Sequence, residues 1–140
     1  MSFRWGCLLL LFVLLGACTD PQMACEDGLG CVALRPGEPL VIAALIDTTG
    51  PAAAISADVL GGMAIAIGDR SDALFGHPIE LLEMDTNCRA DSALLAAQEL
   101  AADERVVGVI GPLCAAAAET AVPLLDTAGL VVISPTDTGS

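Results

Sequence analysis

Val106–Thr120 reads VVGVIGPLCAAAAET, and this stretch decides the fold. Val106, Val107, Val109 and Ile110 form a short apolar, β-branched run, the composition of a strand buried on both faces. Gly111 and Pro112 end it. Ala115 to Thr120 is alanine-rich and reads as the start of a helix. A strand, a tight turn and a helix N-terminus make half of a βαβ unit. The product is a set of backbone N–H groups without intrahelical partners, presented above the strand's carboxyl end. Such a turn suits an anion, for instance a ligand carboxylate, although many α/β turns hold nothing.

The same alternation repeats on either side. Leu40–Ile46 (LVIAALI) reads as a buried strand, ended by Asp47-Thr48-Thr49-Gly50-Pro51. Ala52 to Gly68 reads as a helix with few charges, largely covered by its surroundings. Glycine costs helix stability, so Gly61 and Gly62 are predicted at points of close packing. Arg70 to Pro78 reads as a loop, with His77 as a turn histidine between Gly76 and Pro78 rather than a catalytic one. Ile79 to Met84 is the next strand, ended by Asp85-Thr86-Asn87-Cys88. Asp91 is predicted to cap a helix from Ser92 to Asp103, with Leu94, Leu95 and Leu100 on one face. Beyond the Ala115 helix, Pro123 predicts a kink or a restart and Gly129 a C-cap. Leu130 to Ile133 is the fourth strand, followed by Ser134-Pro135-Thr136-Asp137-Thr138.

This order is β-α-β-α-β-α-β with short turns. It predicts an α/β fold: a Rossmann-like parallel sheet covered by helices on both faces, with the second and third strands flanking the first. Ligands in such sheets bind outside the carboxyl ends of the strands. Those ends carry Asp47-Thr48-Thr49, Asp85-Thr86-Asn87, Cys114-Ala115 and Ser134-Thr136-Thr138.

The 140 residues include 18 acidic and 5 basic side chains, for a net charge of −13. Such a surface repels nucleic acid, and no basic patch offsets it. Arg4 supplies a positive start, and Cys7 to Leu15 (CLLLLFVLL) is apolar but too short to span a bilayer. It ends in Leu15-Gly16-Ala17-Cys18, which resembles the lipobox of bacterial lipoproteins, in which the cysteine is acylated after cleavage. The alternatives are an ordinary signal peptide cut near Ala17 and an uncleaved anchor. The predicted organisation is a lipoprotein signal peptide over 1–17, a polar tether over 18–39 and one α/β domain over 40–140. Lipid on Cys18 would hold the protein at the periplasmic face of a membrane without a transmembrane helix.

Cys7 leaves with the signal and Cys18 carries lipid, so Cys25, Cys31, Cys88 and Cys114 remain. Four thiols in an oxidising compartment suggest two disulfides, with three pairings open. Cys25 and Cys31 flank a loop short enough to close on itself, which leaves Cys88 with Cys114. The rival is a metal site, weakened by the lone His77 and the absence of CxxC spacing. No metal or cofactor is expected, and no glycine-rich phosphate loop or paired-carboxylate motif supports an enzyme.

From Leu40 to Ser140 the chain resembles the periplasmic leucine/isoleucine/valine-binding proteins, type I solute-binding subunits of ABC transporters. The residues that carry the resemblance come in a fixed order. Thr49-Gly50-Pro51 follows the first strand, and Pro78-Ile79-Glu80-Leu81 opens the second. Asp85 with Cys88, Ile110-Gly111-Pro112-Leu113-Cys114, Ala128-Gly129-Leu130 and Ile133-Ser134-Pro135 complete the series.

The resemblance implies a disulfide between Cys88 and Cys114. It also implies a ligand carboxylate held by backbone N–H groups at Ala115 and Ala116. Thr138 would hold an amino acid, the backbone carbonyl of Thr136 would receive its ammonium, and Thr49 lies on the same rim. Ala115 to Ala118 stands where the family has a serine run, and Ile55 where an aromatic often covers the ligand. Both departures loosen the expected amino-acid specificity toward other small carboxylates. The chain stops inside the first lobe of a two-lobed family, so it is read as a fragment or a truncated reading frame.

The function this implies is non-enzymatic capture of a small amino acid or related carboxylate for an ABC importer, with the transporter's permease as partner. A sensory receptor ectodomain is the second reading. A thiol-dependent enzyme using Cys114 at a helix N-terminus is the third, opposed by the lack of a nearby histidine.

Overall fold

The computed structural model describes residues 31–136. The expectations for Cys18, Cys25 and Thr138 fall outside these residues. Cys31 is disulfide-bonded.

Among the described residues the elements run, in order, β1 (Leu40–Ile46), α1 (Ala53–Gly68), β2 (Ala73–Leu74), β3 (His77–Asp85), α2 (Ala90–Ala102), β4 (Val106–Ile110), α3 (Ala115–Thr127) and β5 (Val132–Ile133). The sheet order is β2-β3-β1-β4-β5. β1 pairs in parallel with β3 and β4, and β4 with β5. The first strand is therefore central, flanked as the sequence predicts. Nearly all of its residues are buried, as suits a strand covered on both faces.

Alternate residues of β1 define the two faces. Val41, Ala43 and Leu45 share one core with Ala93, Ala96, Ala97 and Leu100 of α2 and Ala117, Ala121 and Leu125 of α3. The spacing i, i+3, i+4, i+7 along α2 makes a narrow alanine stripe, which lets helix and sheet approach closely. The step from β1 to β3 runs opposite to the steps from β3 to β4 and from β4 to β5. Right-handed crossovers then place α1 on the other face, the one helix there among the described residues.

Several local expectations are corrected. α1 is not largely covered: Ser56 is its only buried residue, and Ile55 and Ile65 are 48% and 68% exposed. Its sequence is apolar all round, so the pattern defined no inner face. Gly61 and Gly62 have no neighbour within 4 Å of where a Cβ would stand, so they mark open space and not close packing.

The expected loop at 70–78 contains the β2–β3 hairpin, which adds an antiparallel edge strand. Phe75 and Gly76 both take positive φ (52° and 85°), the conformation of a two-residue hairpin turn. His77 opens β3, and its Nδ1 lies 2.9 Å from the Glu38 carbonyl oxygen.

In α2 the N-cap is Arg89, not Asp91. Asp91 lies in the first turn, where its carboxylate accepts the Arg89 guanidinium at 2.7 Å and suits the helix dipole. The hydrogen bond and charge of Asp91 raise the Arg89 guanidinium, while Asp91 is lowered to about 2, chiefly by its bond to Arg89. Leu94 and Leu95 are exposed, and of the three expected leucines only Leu100 is in the core. α3 continues through Pro123 as one helix. It ends one residue before the expected cap: Ala128 is the C-cap, and Gly129 follows at φ 76°. There Leu130 N–H donates to Leu125 C=O at 3.0 Å and Gly129 N–H to Asp126 C=O at 2.9 Å, the Schellman pattern. β5 is shortened to Val132–Ile133.

Candidate functional site

The carboxyl ends of β1, β3, β4 and β5 meet along one edge, and contacts join them in sequence. Asp85, at the end of β3, is the first junction. Its Oδ1 accepts Thr48 N–H at 3.2 Å and Asn87 N–H at 2.9 Å. Its Oδ2 accepts the Thr48 hydroxyl and, at 3.5 Å, the Thr49 hydroxyl. Burial pushes the Asp85 carboxyl up. The hydrogen bonds from Thr48, Asn87 and Thr49 outweigh it and hold the group below its ordinary value. Thr49 lies at this carboxyl edge, with its hydroxyl 2.7 Å from Asn87 Oδ1.

The second junction is covalent. Cys88 and Cys114 form a disulfide across 26 residues, with Cα atoms 5.3 Å apart. It joins the β3–α2 loop to the start of α3. Cys114 is the N-cap of α3 and supplies no side-chain cap. This is where a nucleophilic thiol would stand, but its sulfur is bonded to Cys88. Asp47, Cys88 and Cys114 bring three potential metal-ligand atoms within 4.8 Å, two of them the bonded sulfurs.

Ala117 and Ala118 N–H groups turn back to the Cys114 carbonyl, at 3.1 and 2.9 Å. Ala115 and Ala116, the expected carboxylate site, are exposed, and among the described residues no acceptor faces their N–H groups. Two free donors and the positive end of a helix of 13 residues thus stand at the rim. The third junction joins β4 and β5: the Ser134 hydroxyl donates to Pro112 C=O at 3.1 Å and the Thr136 hydroxyl to Leu113 C=O at 3.0 Å. Thr136 therefore lies beside the turn that leads into α3.

Two contacts of the edge are not evident from the sequence, which places Asp47 and Gly111 there without them. Asp47 is wholly buried, and its carboxylate accepts Gly50 N–H at 2.9 Å and Ala52 N–H at 2.6 Å, folding the β1–α1 turn around itself. A Cβ on Gly50 would collide with that carboxylate, and Asp-x-x-Gly was the available signal. Gly111 is the other: at φ 103° it passes directly under the Leu45 carbonyl. A cleft of about 670 Å³ lies at the opposite end of the sheet, among Val32, Leu100, Val106 and Val131, away from these groups.

A sequence profile described as periplasmic binding protein matches residues 39–140. The leucine-binding protein LivK of Thermotoga maritima is similar in structure, with a TM-score of 0.65 at 25% identity, over 71% of this chain and 28% of its own. LivJ of Streptococcus pneumoniae, a branched-chain amino acid transporter substrate-binding protein solved with isoleucine, gives 0.66 at 24% identity, over 74% and 30%. A solute-binding protein of an ABC transporter from Rhodopseudomonas palustris BisB5, solved with 3,4-dihydroxybenzoic acid, gives 0.65 at 23%, over 70% and 27%. The chain spans less than a third of the length of each of these structures. Among curated proteins none matches significantly.

Proposed function

Because the chain belongs to the periplasmic binding protein family, we propose that it captures a small carboxylate-bearing solute for an ABC importer and is held at the membrane by lipid on Cys18. The observation that carries this reading is the pair of N–H groups of Ala115 and Ala116 on the carboxyl edge, which have no partner among the described residues. Isoleucine and 3,4-dihydroxybenzoic acid, found in two of the similar structures, differ in almost everything but a carboxyl group. A helix N-terminus recognises that group without regard to what is attached to it. Thr49, the Thr136 backbone and Thr138 complete the proposed rim and would select among carboxylates. Ala115 and Ala116 have no hydroxyl to add a second bond to the anion, so the backbone carries recognition alone.

A ligand on one open edge keeps a face in water, which weakens every charged hydrogen bond it makes. Affinity of this chain alone is expected on the order of millimolar. The test is an amide-resolved NMR titration with isoleucine, benzoate and the uncharged isoleucinamide. The two carboxylates should shift the Ala115 and Ala116 resonances, and the amide should not. Shifts confined to other residues, or equal shifts with isoleucinamide, would defeat the proposal.

A further inference from the structure

Asp47 is wholly buried, and among the described residues no ion pair reaches it. Its Oδ2, besides accepting Ala52 N–H, lies 3.3 Å from Sγ of Cys88. A carboxylate thus touches one sulfur of the disulfide that pins the rim, and the two sulfurs stand in unlike fields. Cys114 is at the N-terminus of α3, where free N–H groups favour negative charge. Cys88 faces the carboxylate.

An external thiolate can open the bridge in two senses. Attack on Cys88 Sγ forms a mixed disulfide there and expels Cys114 as thiolate, the better leaving group because of the helix. Attack on Cys114 Sγ forms the mixed disulfide at that residue and expels Cys88 as thiolate against Asp47. In either case a second external thiolate releases the remaining cysteine, giving an external disulfide and two protein thiolates that take protons from water. Asp47 opposes both first steps: it repels the anion approaching Cys88, and it destabilises the thiolate that would form there. Both cysteines are half-buried residues, while the carboxylate is too buried to be screened as a surface charge is.

We propose that Asp47 is a positioning residue that shields the Cys88–Cys114 bridge from thiol exchange, above all by anionic thiols. The experiment compares exchange rates with cysteamine, which is cationic, and mercaptoethanesulfonate, which is anionic. Rates are taken per thiolate present and at high salt, which suppresses the effect of the chain's net charge. In the wild type the cationic thiol should react at least about tenfold faster. Asp47→Asn should bring the ratio near one, mainly by accelerating the anionic thiol. Asp85→Asn, whose carboxylate serves Thr48 and Asn87 instead, should keep it. Both rates rising together in Asp47→Asn, with the ratio unchanged, would overturn the proposal. Should Asp47→Asn fail to fold, the wild type in folding buffer and in concentrated urea decides: the ratio should collapse on unfolding, and a ratio no larger in the folded protein would refute the shield.

Discussion

Asp85 binds Thr48 twice, through the backbone N–H at 3.2 Å and through the hydroxyl, and so locks the end of β3 to the end of β1. Adjacent parallel strands share only ladder bonds along their length, and nothing in the ladder fixes what happens beyond its last pair, Ile46 with Asp85. The carboxylate continues the connection into the loops. It is a rim contact first, and a source of stability second.

That second role is readable in pH. Asp85 is held below its ordinary value of 3.8, so its bonds stabilise the fold fully above that value and lose their effect as the pH falls below it. Asp85→Asn should melt below the wild type at neutral pH, and the gap should close in acid. Melting curves of both proteins between pH 7 and pH 2 check this, and a gap independent of pH would contradict it.

Gly111→Ala should cost at least about 2 kcal/mol, because φ of 103° strains any L-residue and the new methyl would press on the Leu45 carbonyl. Gly61→Ala is the contrast. It faces open space within a helix, so it should stabilise by about 0.5–1 kcal/mol. Urea unfolding of the two variants, with opposite signs expected, tests whether glycine matters by position.

The strands that became the core were legible in the sequence because burial on both faces leaves no other composition open to them. β1 and β4 have the expected ends, Leu40–Ile46 and Val106–Ile110. The helices were legible in extent but not in facing. Alanine, as at Ala93, Ala96 and Ala97, carries too little hydrophobic contrast to mark an inner stripe, and Leu94 and Leu95 drew attention to the wrong side. The hairpin at Phe75–Gly76 was hidden because β2 has only two residues. At the rim, single residues such as Thr49 and Ala115 could be named, but the contacts of Asp85 with Thr48 and of Asp47 with Cys88 span 37 and 41 residues, and no local pattern encodes them.

Removing the bridge should destabilise the fold. Cross-linking across 26 residues restricts the unfolded chain by about 3–4 kcal/mol. The Cys88→Ser, Cys114→Ser double variant should unfold at correspondingly lower urea, and an unchanged midpoint would contradict the estimate.

Lipid attachment concerns Cys18, before the first described residue. Cells fed a labelled fatty acid should tag the wild-type chain and leave Cys18→Ala unlabelled, and equal labelling of both would remove the membrane tether from the account.

If backbone N–H groups at the start of α3 hold the ligand's carboxylate, Ala115→Pro removes one of them. Ala115 is the first helical residue, where proline's fixed φ fits and its missing N–H breaks no helix bond. Cys114 before it is extended, at φ −122° and ψ 138°, as a residue preceding proline must be. The substitution therefore removes one proposed donor and little else. Affinity for isoleucine or benzoate, measured by NMR titration, should fall about tenfold to a hundredfold, the worth of one hydrogen bond to a charged group, with the melting temperature nearly unchanged. Undiminished affinity in a folded Ala115→Pro protein would show that the carboxylate is held elsewhere.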